Sequence, residues 1–96
     1  MKRAIVEALA RCGAVQIHVD TTVEGVDVPV HLRDQSEVAI QVRQRLPTGD
    51  LIVGAEYLAQ RIAFDGVAYR VRIPWEAVRA VRTKTSVTLF EEVRSA

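Results

Sequence analysis

The chain has 96 residues, 49% of them hydrophobic and 26% charged. That supplies enough apolar surface for one folded domain across residues 1–96 and too little length for two independent cores. Thirteen Lys and Arg against twelve Asp and Glu leave a formal charge of +1, so no net field draws in nucleic acid or anionic lipid. The lone Cys12 excludes an internal disulfide, and no long apolar run or signal-peptide pattern follows Met1-Lys2-Arg3; a cytoplasmic protein without a membrane partner is expected.

Residues 2 to 12 place Ile5, Ala8, Leu9 and Cys12 at helical spacing, and Gly13 follows as a stop, which predicts one short amphipathic helix. A helix this short is marginal alone, and Ile5, Leu9 and Cys12 are expected to form the interface of a homodimer. The period then changes to two. Val15, Ile17 and Val19 alternate with Gln16, His18 and Asp20, and after a turn at Glu24-Gly25, Val26, Val28 and Val30 alternate with Asp27, Pro29 and His31. Pro29 has no N–H to give to a ladder, so its strand is expected to be a sheet edge. Val38, Ile40 and Val42 make a third strand, and Leu51-Ile52-Val53 follows a loop at Pro47-Thr48-Gly49-Asp50.

Residues 58–64 and 67–73 flank Asp65-Gly66, the signature of a hairpin with a type I′ turn. Pro74-Trp75-Glu76-Ala77-Val78 predicts a helical turn, and residues 83–91 offer a last β-prone run carrying Val87, Leu89 and Val93. The expected fold is α+β and mostly β: an N-terminal helix followed by about seven strands in a small antiparallel, barrel-like, Sm-like domain. Its core should hold Val19, Val28, Ile40, Leu51, Ile62, Phe64, Val71, Ile73 and Val78.

Chemistry-bearing residues are sparse. His18, Asp20 and His31 have no third or fourth ligand at recognisable spacing, Cys12 closes an apolar stripe, and no nucleophile elbow or phosphate loop is present. No enzyme, metal or cofactor is expected. Arg43, Arg45, Arg61, Arg70 and Arg72 fall on polar strand faces and could track RNA or a nucleotide across a small barrel. With only Tyr57 and Tyr69 nearby, nucleic acid is the lesser alternative.

Four pieces occur in a telling order: Val-Asp-Thr-Thr-Val-Glu-Gly-Val-Asp-Val-Pro-Val at 19–30, Thr48-Gly49-Asp50-Leu51, Ala63-Phe64-Asp65-Gly66-Val67, and Arg72-Ile73-Pro74-Trp75-Glu76-Ala77-Val78. Together they resemble the stringent starvation protein B family, the specificity-enhancing factor of the ClpXP protease, from the N-terminal helix to about Phe90. The resemblance implies a compact domain that dimerises through its N-terminal helix and takes an extended peptide in a groove. That peptide is typically the ssrA-type degradation tag of stalled translation products. It also implies a non-enzymatic adaptor that holds tagged substrate near the AAA+ unfoldase ClpX, where tethering raises local concentration. The family's groove maps onto Gln44-Arg45-Leu46-Pro47 and the strand from Ala59 to Ala63, giving Leu46, Pro47, Ala59, Arg61 and Ala63 as candidate peptide-binding residues. Two departures stand out. Relatives carry Asn-Ala-Arg-Phe where this chain has Arg61-Ile62-Ala63-Phe64, and the family's acidic tail with its unfoldase-docking motif is not seen before Ala96.

Overall fold

A computed structural model describes residues 2–90. The N-terminal helix α1 spans Lys2–Cys12 and turns Val6 and Ala10 into the core, with Ile5 and Leu9 half-buried and Ala8 and Cys12 exposed. Its buried stripe is therefore rotated by about one residue, or roughly 100°, from the predicted one. Apolar residues cover so wide an arc of this helix that spacing alone does not fix its centre, and the small Ala10 permits close approach to the sheet.

Strand β1 (Val15–Asp20) has the alternation expected of it, with Val15, Ile17 and Val19 fully buried. It pairs antiparallel with β2 (Glu37–Val42), from Val15 opposite Val42 to Asp20 opposite Glu37. Two two-residue strands, β3 (Arg45–Leu46) and β4 (Gly49–Asp50), form a small hairpin, and β5 (Ile52–Val53) lies against β6 (Tyr57–Phe64). Strand β6 then returns as β7 (Val67–Pro74), with Phe64 opposite Val67 and Leu58 opposite Ile73. The turn residues Asp65 and Gly66 have φ of 50° and 81°, the left-handed pair that a type I′ hairpin requires and that the Asp-Gly sequence supplies. After a 3₁₀ turn at Trp75–Ala77, β8 (Val78–Arg82) pairs with the other side of β1, and β9 (Val87–Leu89) lines β8.

The described residues thus make three antiparallel sheets, ordered β2-β1-β8-β9, β3-β4 and β5-β6-β7, behind one N-terminal helix. The fold is α+β and mostly β, and the sheets do not close into a barrel. One apolar cluster joins α1, both larger sheets and the segment at Val28. Six of the nine predicted core residues (Val19, Val28, Ile40, Val71, Ile73 and Val78) are buried, while Leu51, Ile62 and Phe64 are partly buried against the same cluster.

Three expectations need correction. Residues 26–30 are not a strand. Asp27 makes a single antiparallel bridge to Arg72, and the chain then enters a four-residue helix, α2 (Val30–Arg33). Pro29 is buried at the N-cap of α2 with φ −53° and ψ 147°, and its carbonyl accepts from the N–H groups of Leu32 and Arg33. The fixed proline angle and missing N–H that suggested an edge strand serve a helix entry equally well, so Pro29 marks no open edge. Val78 begins a strand rather than ending a helical turn. The last β run starts only at Val87, because Thr83 and Ser86 close a tight turn, Thr83 N–H to Ser86 carbonyl at 2.9 Å; Glu91 and Val93 lie outside the described residues.

Candidate functional site: the outer face and free edge of the long hairpin

The hairpin has two unlike faces. Leu58, Gln60, Ile62 and Phe64 of β6, with Tyr69, Val71 and Ile73 of β7, point toward the core. The alternate residues Tyr57, Ala59, Arg61 and Ala63 therefore share the opposite face with Ala68, Arg70 and Arg72. On that face Arg61 stands directly across from Arg70, and Ala63 across from Ala68. The Arg72 guanidinium lies over the Tyr57 ring, 4.1 Å from its centroid, a cation–π contact that fixes the direction of the side chain.

The chain ahead of β5 is laid along the edge of β6 and held there by polar contacts. Gln60, 1% exposed, accepts from the Arg43 N–H at 3.2 Å and donates to the carbonyls of Arg43 at 2.6 Å and Gly49 at 3.1 Å. The Thr48 hydroxyl donates to the Arg61 carbonyl. Gly49 passes so close that a Cβ on it would come within 3.3 Å of the Arg61 Cβ.

In a two-residue hairpin the closing pair is hydrogen-bonded and alternate residues turn their main-chain groups away from the partner strand. Phe64 and Ile62 thus bond to β7, whereas Ala63, Arg61 and Ala59 direct N–H and C=O to the outer edge. Ala59 meets Ile52 of β5 there, and Arg61 meets Thr48. The same alternation on β7 frees Arg72 to exchange both bonds with Asp27, at 2.8 and 2.9 Å. Ala63 has no such neighbour among the described residues, and the β6 edge is open at that point.

Of the sequence-predicted groove residues, the fold gathers Arg61 and Ala63, both exposed, beside the β3–β4 tip that carries the half-buried Leu46 and the exposed Pro47. Ala59 is 1% exposed, across from Ile52 and Arg72, and does not reach the surface. Gln60 was missed as the residue that positions the loop. Its signal was a polar side chain at an inward position of an apolar alternation, where a buried amide must have partners. The expected dimer residues share one side of α1, with Ile5 and Leu9 half-buried and Cys12 exposed.

The histidines and Asp20 do not converge. His18 Nδ1 is 3.6 Å from Glu37, Asp20 is held by Arg79 and Thr22, and His31 packs edge-on to Phe64 at 6.3 Å between centroids. Among the described residues no three His, Cys, Asp or Glu side chains are grouped as metal ligands. The basic residues divide likewise: Arg61, Arg70 and Arg72 share the hairpin face, while Arg43 and Arg45 belong to the segment laid along its edge.

A helix followed by this succession of strands, with the loop before β5 folded onto the hairpin edge, is the arrangement over which a family model described as Stringent starvation protein B matches residues 2–93. The chain belongs to the stringent starvation protein B family. A search of curated proteins gave no significant match. Membership in the stringent starvation protein B family supports a general role as an adaptor in ClpXP proteolysis, and the family is one of adaptors rather than enzymes. Among the described residues no helix is long and apolar enough to cross a membrane.

Proposed function

We propose that the protein is a tag-binding adaptor whose peptide site is the free edge of β6 at Ala63, bounded by Arg61 and by Leu46 and Pro47 of the β3–β4 tip. The observation that carries this reading is the main chain of Ala63, unpaired on its outer side among the described residues, with the small Ala68 across from it, on an otherwise covered edge. An extended peptide gains main-chain hydrogen bonds at such an edge and side-chain selectivity from the residues beside it. The ligand is an ssrA-type degradation tag, and the partner that receives the substrate is the unfoldase ClpX. Two copies joined through the side of α1 that carries Ile5, Leu9 and Cys12 present two such sites, which increases capture by avidity.

The test is fluorescence anisotropy with a labelled ssrA-type tag peptide. The unmodified protein binds it, and Ala63→Trp, which fills the edge, abolishes binding while the circular dichroism spectrum stays unchanged. Normal binding by the Ala63→Trp variant, or no tag binding by the unmodified protein, overturns the assignment.

A further inference from the structure

We propose that Arg70, acting with Arg61 and Arg72, makes the outer face of the hairpin a carboxylate-binding surface, so that the peptide taken at the neighbouring edge is an acidic one. The proposal rests on the peptide-binding reading above and specifies its substrate class.

The register puts Arg61 and Arg70 directly opposite one another on adjacent strands, where like charges repel at close range and destabilise the sheet. Nothing in the described structure relieves this. Arg11, Arg33 and Arg79 each have a carboxylate within 3.4 Å, whereas Arg61, Arg70 and Arg72 make no ion pair among the described residues. All three are exposed, and they stand on a strand pair whose remaining outward residues toward the turn are Ala63 and Ala68. The whole chain nets only +1, so three unpaired cations on one strand pair are a local concentration rather than a sample of a basic protein.

Strand geometry says where the anion falls. A peptide added to the open β6 edge at Ala63 extends the row Ala68–Ala63, so its side chain on the outer face stands diagonal to Arg61, one row from the Arg70–Arg61 pair. A carboxylate there is within diagonal reach of the long Arg61 side chain and sits in the field of Arg70, offsetting the repulsion between the two guanidinium groups. The surface fits a peptide better than a nucleic acid. Three cations make a compact spot instead of the backbone-length track that phosphates need, and the Tyr57 face that could stack a base is already covered by Arg72.

The experiment uses the full chain and two fluorescein-labelled peptides, one alternating Ala and Glu and the other alternating Ala and Gln, with labelled oligothymidine as a third probe. At low salt the Glu peptide binds more tightly than the Gln peptide by about three- to tenfold, the range for a few exposed charge pairs, and the preference collapses in Arg70→Gln and at high salt. Arg70→Gln keeps or raises the melting temperature, because it removes the repulsion. Equal binding of the two peptides overturns the acidic preference and leaves tag binding standing. Failure of both, while the ssrA-type tag still binds, overturns it also, and failure of the tag as well removes the underlying reading. Oligothymidine binding tighter than the Glu peptide and lost in Arg70→Gln assigns the face to nucleic acid instead. A lowered melting temperature in Arg70→Gln means that Arg70 has a structural partner, which defeats the argument from unpaired charge.

Discussion

The side chain of Gln60 hydrogen-bonds both main-chain polar groups of Arg43, accepting from its N–H at 3.2 Å and donating to its carbonyl at 2.6 Å. The amide thus does for Arg43 what an adjacent strand would do. Because the same nitrogen also reaches the Gly49 carbonyl at 3.1 Å, one side chain fixes both ends of the segment that carries Leu46 and Pro47. The position of the candidate peptide site is set from inside the core.

Replacing Gln60 by Leu keeps nearly the same volume and deletes all three bonds. Orphaned polar groups that stay away from water cost about 1–3 kcal/mol each, partly relieved where solvent reaches them, so a net loss of about 1–3 kcal/mol is expected. Urea denaturation reads it as a lower midpoint with an unchanged slope. Tag affinity falls with it, since the β3–β4 tip loses its anchor. An unchanged midpoint would show that the segment is held by other contacts.

Much of this architecture was legible because local and tertiary preferences agree. Asp65-Gly66 demands left-handed angles at two successive residues, and Val15 to Asp20 alternates without exception. Misreading occurred where one pattern serves two structures. Val26, Val28 and Val30 alternate like a strand, yet Val30 is 74% exposed at the start of α2, because Pro29 is suited to both an edge strand and a helix entry. Strand β8 has no counterpart in the sequence reading, which groups Val78 with the turn and assigns nothing to residues 79–82, since Arg79 and Arg82 interrupt the apolar residues. Arg79 is there to meet Asp20, 59 positions away, and no local pattern encodes such a pairing. Ala59 and Ala63 look alike in sequence. Only the placement of Ile52, Tyr57 and Arg72 buries the first and leaves the second exposed.

Asp20 ties the end of β1 to β8, and it predicts a pH dependence. Its carboxylate accepts from the Thr22 hydroxyl, from the Arg79 guanidinium at 2.9 Å and from the Thr22 N–H at 2.9 Å. These contacts, the Thr22 hydroxyl first, lower its pKa from 3.8 to about 2. A carboxyl with a depressed folded pKa stabilises fully above its unfolded pKa and loses that contribution as pH falls through the folded one. Stability due to Asp20 is therefore complete above pH 3.8 and declines from there to about pH 2. Asp20→Asn lowers stability at neutral pH and flattens the acid limb of a melting-temperature profile in that window. An acid limb identical in the variant would place the dependence on other groups.

The side of α1 that carries Ile5, Leu9 and Cys12 provides the test of self-association. Leu9→Asp sets a charge where Leu9 is half-buried, next to the exposed Cys12 of the same helix, and desolvating that charge at an interface is unfavourable. Sedimentation should show the unmodified protein as a dimer and the variant shifted toward monomer. Because Leu9 also packs against the core cluster, Ile5→Asp serves as a second variant, and its melting temperature separates lost association from lost folding. A monomeric unmodified protein at high concentration rules out the dimer.

The segment that replaced the expected strand is held to β7 through Asp27, and its polar link can be titrated. Asp27 exchanges two main-chain bonds with Arg72, while its carboxylate accepts from the Tyr69 hydroxyl and from Arg33 at 3.3 Å. The hydrogen bond to Asp27, followed by burial and the negative charge, raises the Tyr69 pKa above its ordinary value of 10.0, and Arg33 opposes the rise. A group with a raised folded pKa contributes stability that is complete below the unfolded value and is lost as pH climbs through the folded one. Asp27→Asn preserves the shape but removes the charge, so Tyr69 should titrate earlier in an ultraviolet absorbance experiment. Stability at neutral pH should drop by about 1 kcal/mol, since a charge-assisted bond becomes a neutral one. If Tyr69 titrates as before, Asp27 does not hold it, and the segment at Val28 is retained by its apolar contacts and the Arg72 bridge alone.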